Sequence, residues 1–318
     1  MNVPRRELRF VATLALLAAS PVLGQTPAPT AQVQAAQSTA SIPDISGFWT
    51  HAALGFESPI SGPGPVRNLS RLKSGANVGA SDFNSLVGDY RNPILQPWAA
   101  DVVKRFGEIS LSGRAFPDPD NQCLLNPVPY IFWNFEIQML QLPDEVIILY
   151  PHDQDRREVR LNGSHPANIT PTAHGDSIGH YEGGTLVVDT VGIKLRKYAM
   201  VDRFGTPYTE ALHIVERYRL LDYETAKEAD ERAHKEWPRN AAYAADPNYR
   251  GKGLQLEFTV ADPGVFTMPW TGMITYLRSR HTDWEERVCA ENIQHYYGGD
   301  HYYSDKDARI PTADKPDF

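Results

Sequence analysis

One stretch of the 318-residue sequence gathers the side chains that proton chemistry needs, from Asp176-Ser177-Ile178-Gly179-His180-Tyr181-Glu182 through Gly183-Gly184 to Thr185-Leu186-Val187-Val188-Asp189. Two glycines between alternating runs signal a two-residue hairpin turn, because such turns need positive φ. A fixed turn fixes the register. Glu182 then faces Thr185, His180 faces Val187 and Ile178 faces Asp189. One face carries Asp176, Ile178, His180, Glu182, Thr185, Val187 and Asp189, and the other carries Gly179, Tyr181, Leu186 and Val188. The diagonal from His180 to Asp189 spans about 7–8 Å between backbones, within reach of both side chains. A carboxylate beside an imidazole fixes its tautomer and raises its basicity. His180 is therefore the candidate acid or base, with Asp176 or Asp189 orienting it and Glu182 available to a substrate. The same groups could ligate a metal, although the HxxxH spacing of zinc helices is absent. An antiparallel sheet with one wetted face shows this pattern with no chemistry at all.

A second cluster lies in Leu212-His213-Ile214-Val215-Glu216-Arg217-Tyr218-Arg219. As a strand it puts His213, Val215, Arg217 and Arg219 on one face, where His213 and Arg217 can polarise or bind a substrate. Glu216 falls on the other face between Ile214 and Tyr218. A carboxylate among apolar neighbours needs a partner or a raised pKa. It is either a structural ion pair with an arginine such as Arg157 or Arg278, or a pocket acid. His165 and His174 sit on the loop leading into the hairpin, where site residues and merely solvated histidines are both found. Trp133, Phe135, Trp270, Trp284, Tyr296, Tyr297, Tyr302 and Tyr303 are candidate pocket walls, with Trp133 the first choice for substrate contact, or simply core. There is no GxGxxG after a strand and no Walker loop, and neither cysteine lies in a CxxC or CxxCH motif. No cofactor is expected.

These residues must be held by a sheet. Runs at Phe135–Met139, Glu145–Tyr150, Arg156–Leu161, Ser177–Glu182, Thr185–Val191, Leu212–Leu221, Leu254–Val260 and Met273–Arg280 read as short strands joined by turns, after a first strand near Gly47-Phe48-Trp49. The expectation is a mainly β fold: an antiparallel meander forming a curved sheet or barrel, since closure removes edges. Periodicity does not separate a barrel from a sandwich. Peripheral helices are expected at Pro97–Glu108 and Tyr223–Trp237.

Arg5, Arg6 and Arg9 followed by the short apolar run Phe10–Ala19 and the small-residue end Val22-Leu23-Gly24 have the layout of a cleavable secretory signal. Residues 1–24 are thus expected to be a signal peptide, 25–42 an uncharged tether and 43–318 a single β-rich domain in the periplasm or outside the cell. No later apolar run is long enough to span a bilayer. The net charge of -8 argues against nucleic acid as a partner. Cys123 and Cys289 are expected to form one disulfide, which stabilises by roughly 4–5 kcal/mol in the loop-entropy description.

The segment Gly175-Asp176-Ser177-Ile178-Gly179-His180-Tyr181-Glu182-Gly183-Gly184-Thr185-Leu186-Val187-Val188-Asp189-Thr190, with Asn162-Gly163-Ser164-His165-Pro166 before it and Glu210-Ala211-Leu212-His213 and Cys289-Ala290-Glu291-Asn292 after it, resembles a large uncharacterised family of exported bacterial proteins. Tyr181 stands where that family has Trp, and Gly184 where it has Asp. The resemblance implies export and one domain, and implies no reaction. The residues point to an exported enzyme acting on a small, partly apolar molecule by acid–base chemistry, as a lyase, isomerase or hydrolase. The rival is a non-catalytic small-molecule-binding protein.

Overall fold

The computed structural model describes residues 42–281 apart from Leu54, His152 and Asp153. The leader, most of the tether, Cys289, Trp284, Tyr296, Tyr297, Tyr302 and Tyr303 lie outside the described residues. Among the described residues, nine strands follow one another round a closed barrel. They are β1 (Gly47–Thr50), β2 (Glu136–Gln141), β3 (Glu145–Tyr150), β4 (Asp155–Leu161), β5 (Asp176–Glu182), β6 (Thr185–Val191), β7 (His213–Leu221), β8 (Gly253–Ala261) and β9 (Trp270–Arg278), with β9 pairing back onto β1. The expected strand sequence and sequential order are present, and the sheet closes.

One junction departs from the expected antiparallel meander: β4 and β5 run parallel, with Val159 opposite Ser177 and Leu161 opposite Gly179. Strand parity requires this. A ring in which every neighbour is antiparallel must hold an even number of strands, and nine is odd. At least one pair has to be parallel, and a parallel pair needs a connection longer than a hairpin. Residues 162–175 provide it. The hairpin β5–β6 has the register expected from its glycines: Glu182 faces Thr185, His180 faces Val187 and Ile178 faces Asp189. Gly183 takes the positive φ of the turn, at 58°.

The alternation of each strand decides what fills the barrel. β4 looks too polar for a strand that lines a core, yet Asp155, Arg157 and Val159 are buried while Arg156, Glu158 and Arg160 are exposed. Arg157 meets Glu216 of β7 inside, through two contacts of 2.7 and 3.0 Å, and neither side chain is more than 1 % exposed. Arg157 also donates to the hydroxyls of Tyr150, Ser177 and Thr190, each at 3.3 Å, and Tyr218 donates to Glu216 at 2.8 Å. The Phe132 ring lies 5.6 Å from the guanidinium. Burial opposes the charge on Arg157, but the facing Glu216 outweighs it and holds the guanidinium well above its ordinary value. Burial pushes the Tyr150 hydroxyl up to about 12. Around this polar centre Ile148, Val159, Val188, Ile214 and Leu256 complete the packing, all fully buried.

Among the described residues, two α-helices lie outside the strands. Helix α1 (Pro97–Leu111) starts on Pro97, whose missing N–H is harmless there. It buries Ala99, Val103, Phe106 and Ile109 at helical spacing. Helix α2 (Tyr223–Glu236) is capped by Asp222, whose carboxylate accepts from Thr225 N at 2.9 Å and Thr225 Oγ1 at 2.7 Å. Its inner face is Ala226, Ala229, Asp230 and Ala233, and it packs on β8 and β9. Small residues permit the close approach: a Cβ on Gly253 of β8 would come within 2.4 Å of the Ala226 Cβ.

The buried ion pair yields the first prediction. Arg157→Met strands the Glu216 charge in the interior and is expected to cost about 3–5 kcal/mol in urea unfolding. Replacing both, as Arg157→Met with Glu216→Leu, is expected to recover most of that loss, because no charge is then left unpaired. Equal losses in the single and double variants would contradict this account.

Candidate functional site

The hairpin face that carries Asp176, His180, Glu182 and Asp189 is the outer face of the barrel. On it the crossover loop lays His165 between two strands. His165 Nδ1 lies 2.6 Å from Asp176 Oδ1 and its Nε2 lies 3.0 Å from Asp189 Oδ1. Arg160 forks onto the other side of Asp176 at 2.9 and 3.0 Å. His213 Nε2 reaches Asp189 Oδ2 at 2.9 Å. A continuous chain Arg160–Asp176–His165–Asp189–His213 therefore runs across β4, β5, β6 and β7. Burial opposes protonation of His165, but its hydrogen bonds to Asp176 and Asp189 prevail and raise its pKa. The hydrogen bond from Arg160, joined by His165, holds the Asp176 carboxyl below its ordinary value. For Asp189, burial works upward and the bonds from His213 and His165 bring the net shift downward.

The structure thus brings Asp176, Asp189 and His213 together, and adds His165 and Arg160. It separates His180, which pairs instead with Glu182 at 3.0 Å, while the other oxygen of Glu182 takes Arg217. The His180 and Glu182 side chains are 54 % and 47 % exposed. Glu216 and Trp133 lie in the interior. Glu216 has the ion-pair partner that its apolar neighbours demand, and that partner is Arg157. Trp133 is buried among Phe56, Trp237 and Phe204, with ring centroids 5.1, 5.7 and 6.1 Å away.

Gly175-Asp176-Ser177-Ile178-Gly179 matches the G-x-S-x-G spacing of a hydrolase nucleophile elbow. Its context rules the elbow out. Such a serine stands exposed on a strand-to-helix turn, whereas Ser177 lies within β5, is 3 % exposed, and shares a 2.9 Å hydrogen bond with Thr190. Among the described residues no group of three or more His, Cys, Asp or Glu is arranged to hold a metal ion. No helix among them is long and apolar enough to cross a membrane.

A different concavity lies between the segment after β1 and helix α2. Phe56, Glu57, Ser58, Val66 and Arg67 form one wall, and Arg232, Ala233, Glu236 and Trp237 the other, around a groove of about 200 Å³. Glu57 is fixed by a pair of backbone hydrogen bonds with Met273 of β9, both 2.9 Å. Its side chain is 8 % exposed and 3.5 Å from Arg232 Nη2, whose own side chain is 55 % exposed. Burial pushes the Glu57 carboxyl up to about 7, against the opposing pull of Arg232 and the Thr275 hydroxyl, with Asp230 adding to the rise. Across the groove Glu236 accepts from Arg67 at 3.0 Å, from Arg71 at 2.7 Å and from Ser81 at 3.0 Å. Trp133 stands behind Phe56 and Trp237 and backs this apolar floor.

The sequence gives no local signal for Glu57 or Arg232. Glu57 sits in a Gly- and Pro-rich stretch without period, and Arg232 is one of many charges on a surface helix, 175 residues away. Compared with family models, with curated proteins and with solved structures, the chain matches none.

The outer chain of charges yields a pH prediction. His165 has a raised folded pKa, so its contribution is full below about 6.5 and is lost as pH rises through the folded value. Asp176 and Asp189 are depressed, so theirs is full above about 3.9 and is lost as pH falls. The strut is strongest between those limits. His165→Ala is expected to cost about 1 kcal/mol near pH 5.5, an amount already reduced for solvent screening, and clearly less at pH 9. Thermal melts of both proteins at the two pH values measure it; a loss that does not change with pH would refute an imidazolium link.

Proposed function

We propose that the chain is an exported acid–base enzyme, a lyase, isomerase or hydrolase for a small, partly apolar molecule, and that its reaction takes place in the groove between Phe56–Arg67 and α2. One observation carries this reading: the Glu57 carboxyl, buried beside an apolar floor, is pushed up to about 7. A carboxyl poised there both accepts and donates a proton near neutral pH, which is what general acid–base catalysis asks of it. Perturbed groups of this kind gather at functional sites. Arg232 orients Glu57 and, with Arg67, offers charge to a bound substrate, while Phe56, Val66 and Trp237 take its apolar part. The groove is smaller than the roughly 300–1,000 Å³ of drug-sized sites, which favours a small metabolite. The Arg5–Gly24 leader layout and the two cysteines, Cys123 and Cys289, support export.

The raised Glu57 pKa also carries a stability cost. With its pKa raised, the carboxyl contributes fully below about 4.3 and loses that contribution as pH rises through about 7. At pH 8 its ionisation costs the fold on the order of 3 kcal/mol. A carboxyl held at such a cost fits a trade of stability for activity.

Glu57→Gln is expected to raise the stability of the protein at pH 8 by about 2–3 kcal/mol and to leave it nearly unchanged at pH 4. The same variant is expected to lose turnover. Incubating wild type and variant with small-molecule extracts, and following mass changes, checks this. A variant that converts as much material as wild type removes Glu57 from the chemistry. Ligand depletion without conversion by either protein favours the binding-protein alternative.

A further inference from the structure

We propose that the groove takes a small organic monoanion, a carboxylate on a short apolar or aromatic body, whose charge replaces that of Glu57 beside Arg232 so that a proton enters the site with the ligand. This rests on the reading of the groove as a ligand site. Its support is the way the two arginines at the rim are paired. Arg157 shows what a satisfied guanidinium looks like in this molecule: a two-point fork on Glu216 at 2.7 and 3.0 Å. Arg232 has a single long contact of 3.5 Å to Glu57, and more than half of its side chain is open to water. A carboxylate arriving from solvent can form the planar two-point fork that Glu57, anchored through its backbone to Met273, does not make.

Charge decides the sign of the ligand. Arg67 is 58 % exposed, and its partner Glu236 is already shared with Arg71 and Ser81. The groove lies at the C-terminal turn of α2, whose dipole of roughly half a negative charge alone would favour a cation. Two exposed guanidiniums outweigh it. Asp230 on the same helix is held by Arg239 at 3.1 Å and by His234 at 3.3 Å. The groups that face Glu57 are Arg232 and Asp230 from α2 and Thr275 from β9. Once Arg232 turns to a ligand, the strongest influence keeping Glu57 ionised is gone and the carboxyl protonates. Phe56, Val66 and Trp237 form an apolar floor, which suits a carbon body better than a second phosphate-like charge.

The test is calorimetric titration of the full-length protein with benzoate, its neutral isostere benzamide and the cation benzylammonium, with the Trp237 indole resonance reporting occupancy of the groove. Benzoate is expected to bind at least tenfold more tightly than benzamide at pH 6. Its affinity is expected to fall about tenfold by pH 8, as ionised Glu57 competes for Arg232. Titration at pH 8, where Glu57 is ionised before binding, in buffers of different ionisation enthalpy is expected to show proton uptake. Arg232→Gln should erase the preference for benzoate and keep the binding of benzamide; Glu57→Gln should keep benzoate binding and flatten its pH dependence. Benzamide or benzylammonium binding as well as benzoate overturns the anion class and leaves the groove standing. None of the three moving the Trp237 resonance overturns the groove itself.

Discussion

A ring of nine strands cannot alternate direction all the way round. The closed barrel therefore needs a parallel neighbour, and it places that pair between β4 and β5. Much of the molecule follows from that constraint. A hairpin cannot join parallel strands, so residues 162–175 must double back across the outer wall. A loop of that length gains little from its own packing and has to be tied down. His165 ties it, with one ring nitrogen on Asp176 and the other on Asp189. The polar outer face of the hairpin, rich in carboxylate and imidazole, is thus the anchorage of the crossover.

The same junction shapes the inside. β4 brings Arg157 into the barrel, and β5 and β6 bring Ser177 and Thr190 to meet it. A charge at that depth is tolerable only with a full set of partners, and Glu216 with its tyrosine neighbours supplies the rest. The interior is a hydrogen-bonded polar centre wrapped in aliphatic side chains. Barrels of about this strand number are just wide enough for side chains to fill. With Arg157, Glu216 and the tyrosines in place, the centre is occupied by the protein itself.

With the barrel filled, the groove beside Glu57 lies on its outer wall. Helix α2 lies across β8 and β9 on small residues, and the chain after β1 runs beside it. Between them Glu57 is dry enough to hold its proton near neutral pH, while Arg232 and Arg67 stay wet. Desolvation on one side and open charge on the other set the proton affinity of Glu57. Trp133, one shell behind, packs against Trp237 and Phe56.

The sequence by itself determined the strands, the hairpin register and both helices. Strand period, the Gly183-Gly184 turn and helical spacing act within a few residues of chain, so they are legible from one end to the other. It also determined that Glu216 needs a partner or a raised pKa, because Ile214 and Tyr218 fix the face on which it lies. Tertiary structure decided that the partner is Arg157, 59 residues away, and that the hairpin's polar face looks outward. It alone decided the parallel pair, since strand parity belongs to the closed ring and to no segment. It alone assembled Glu57 with Arg232, across 175 residues. Proton affinity is set by which distant atoms exclude water from a group and which bring charge to it, and no local pattern records either.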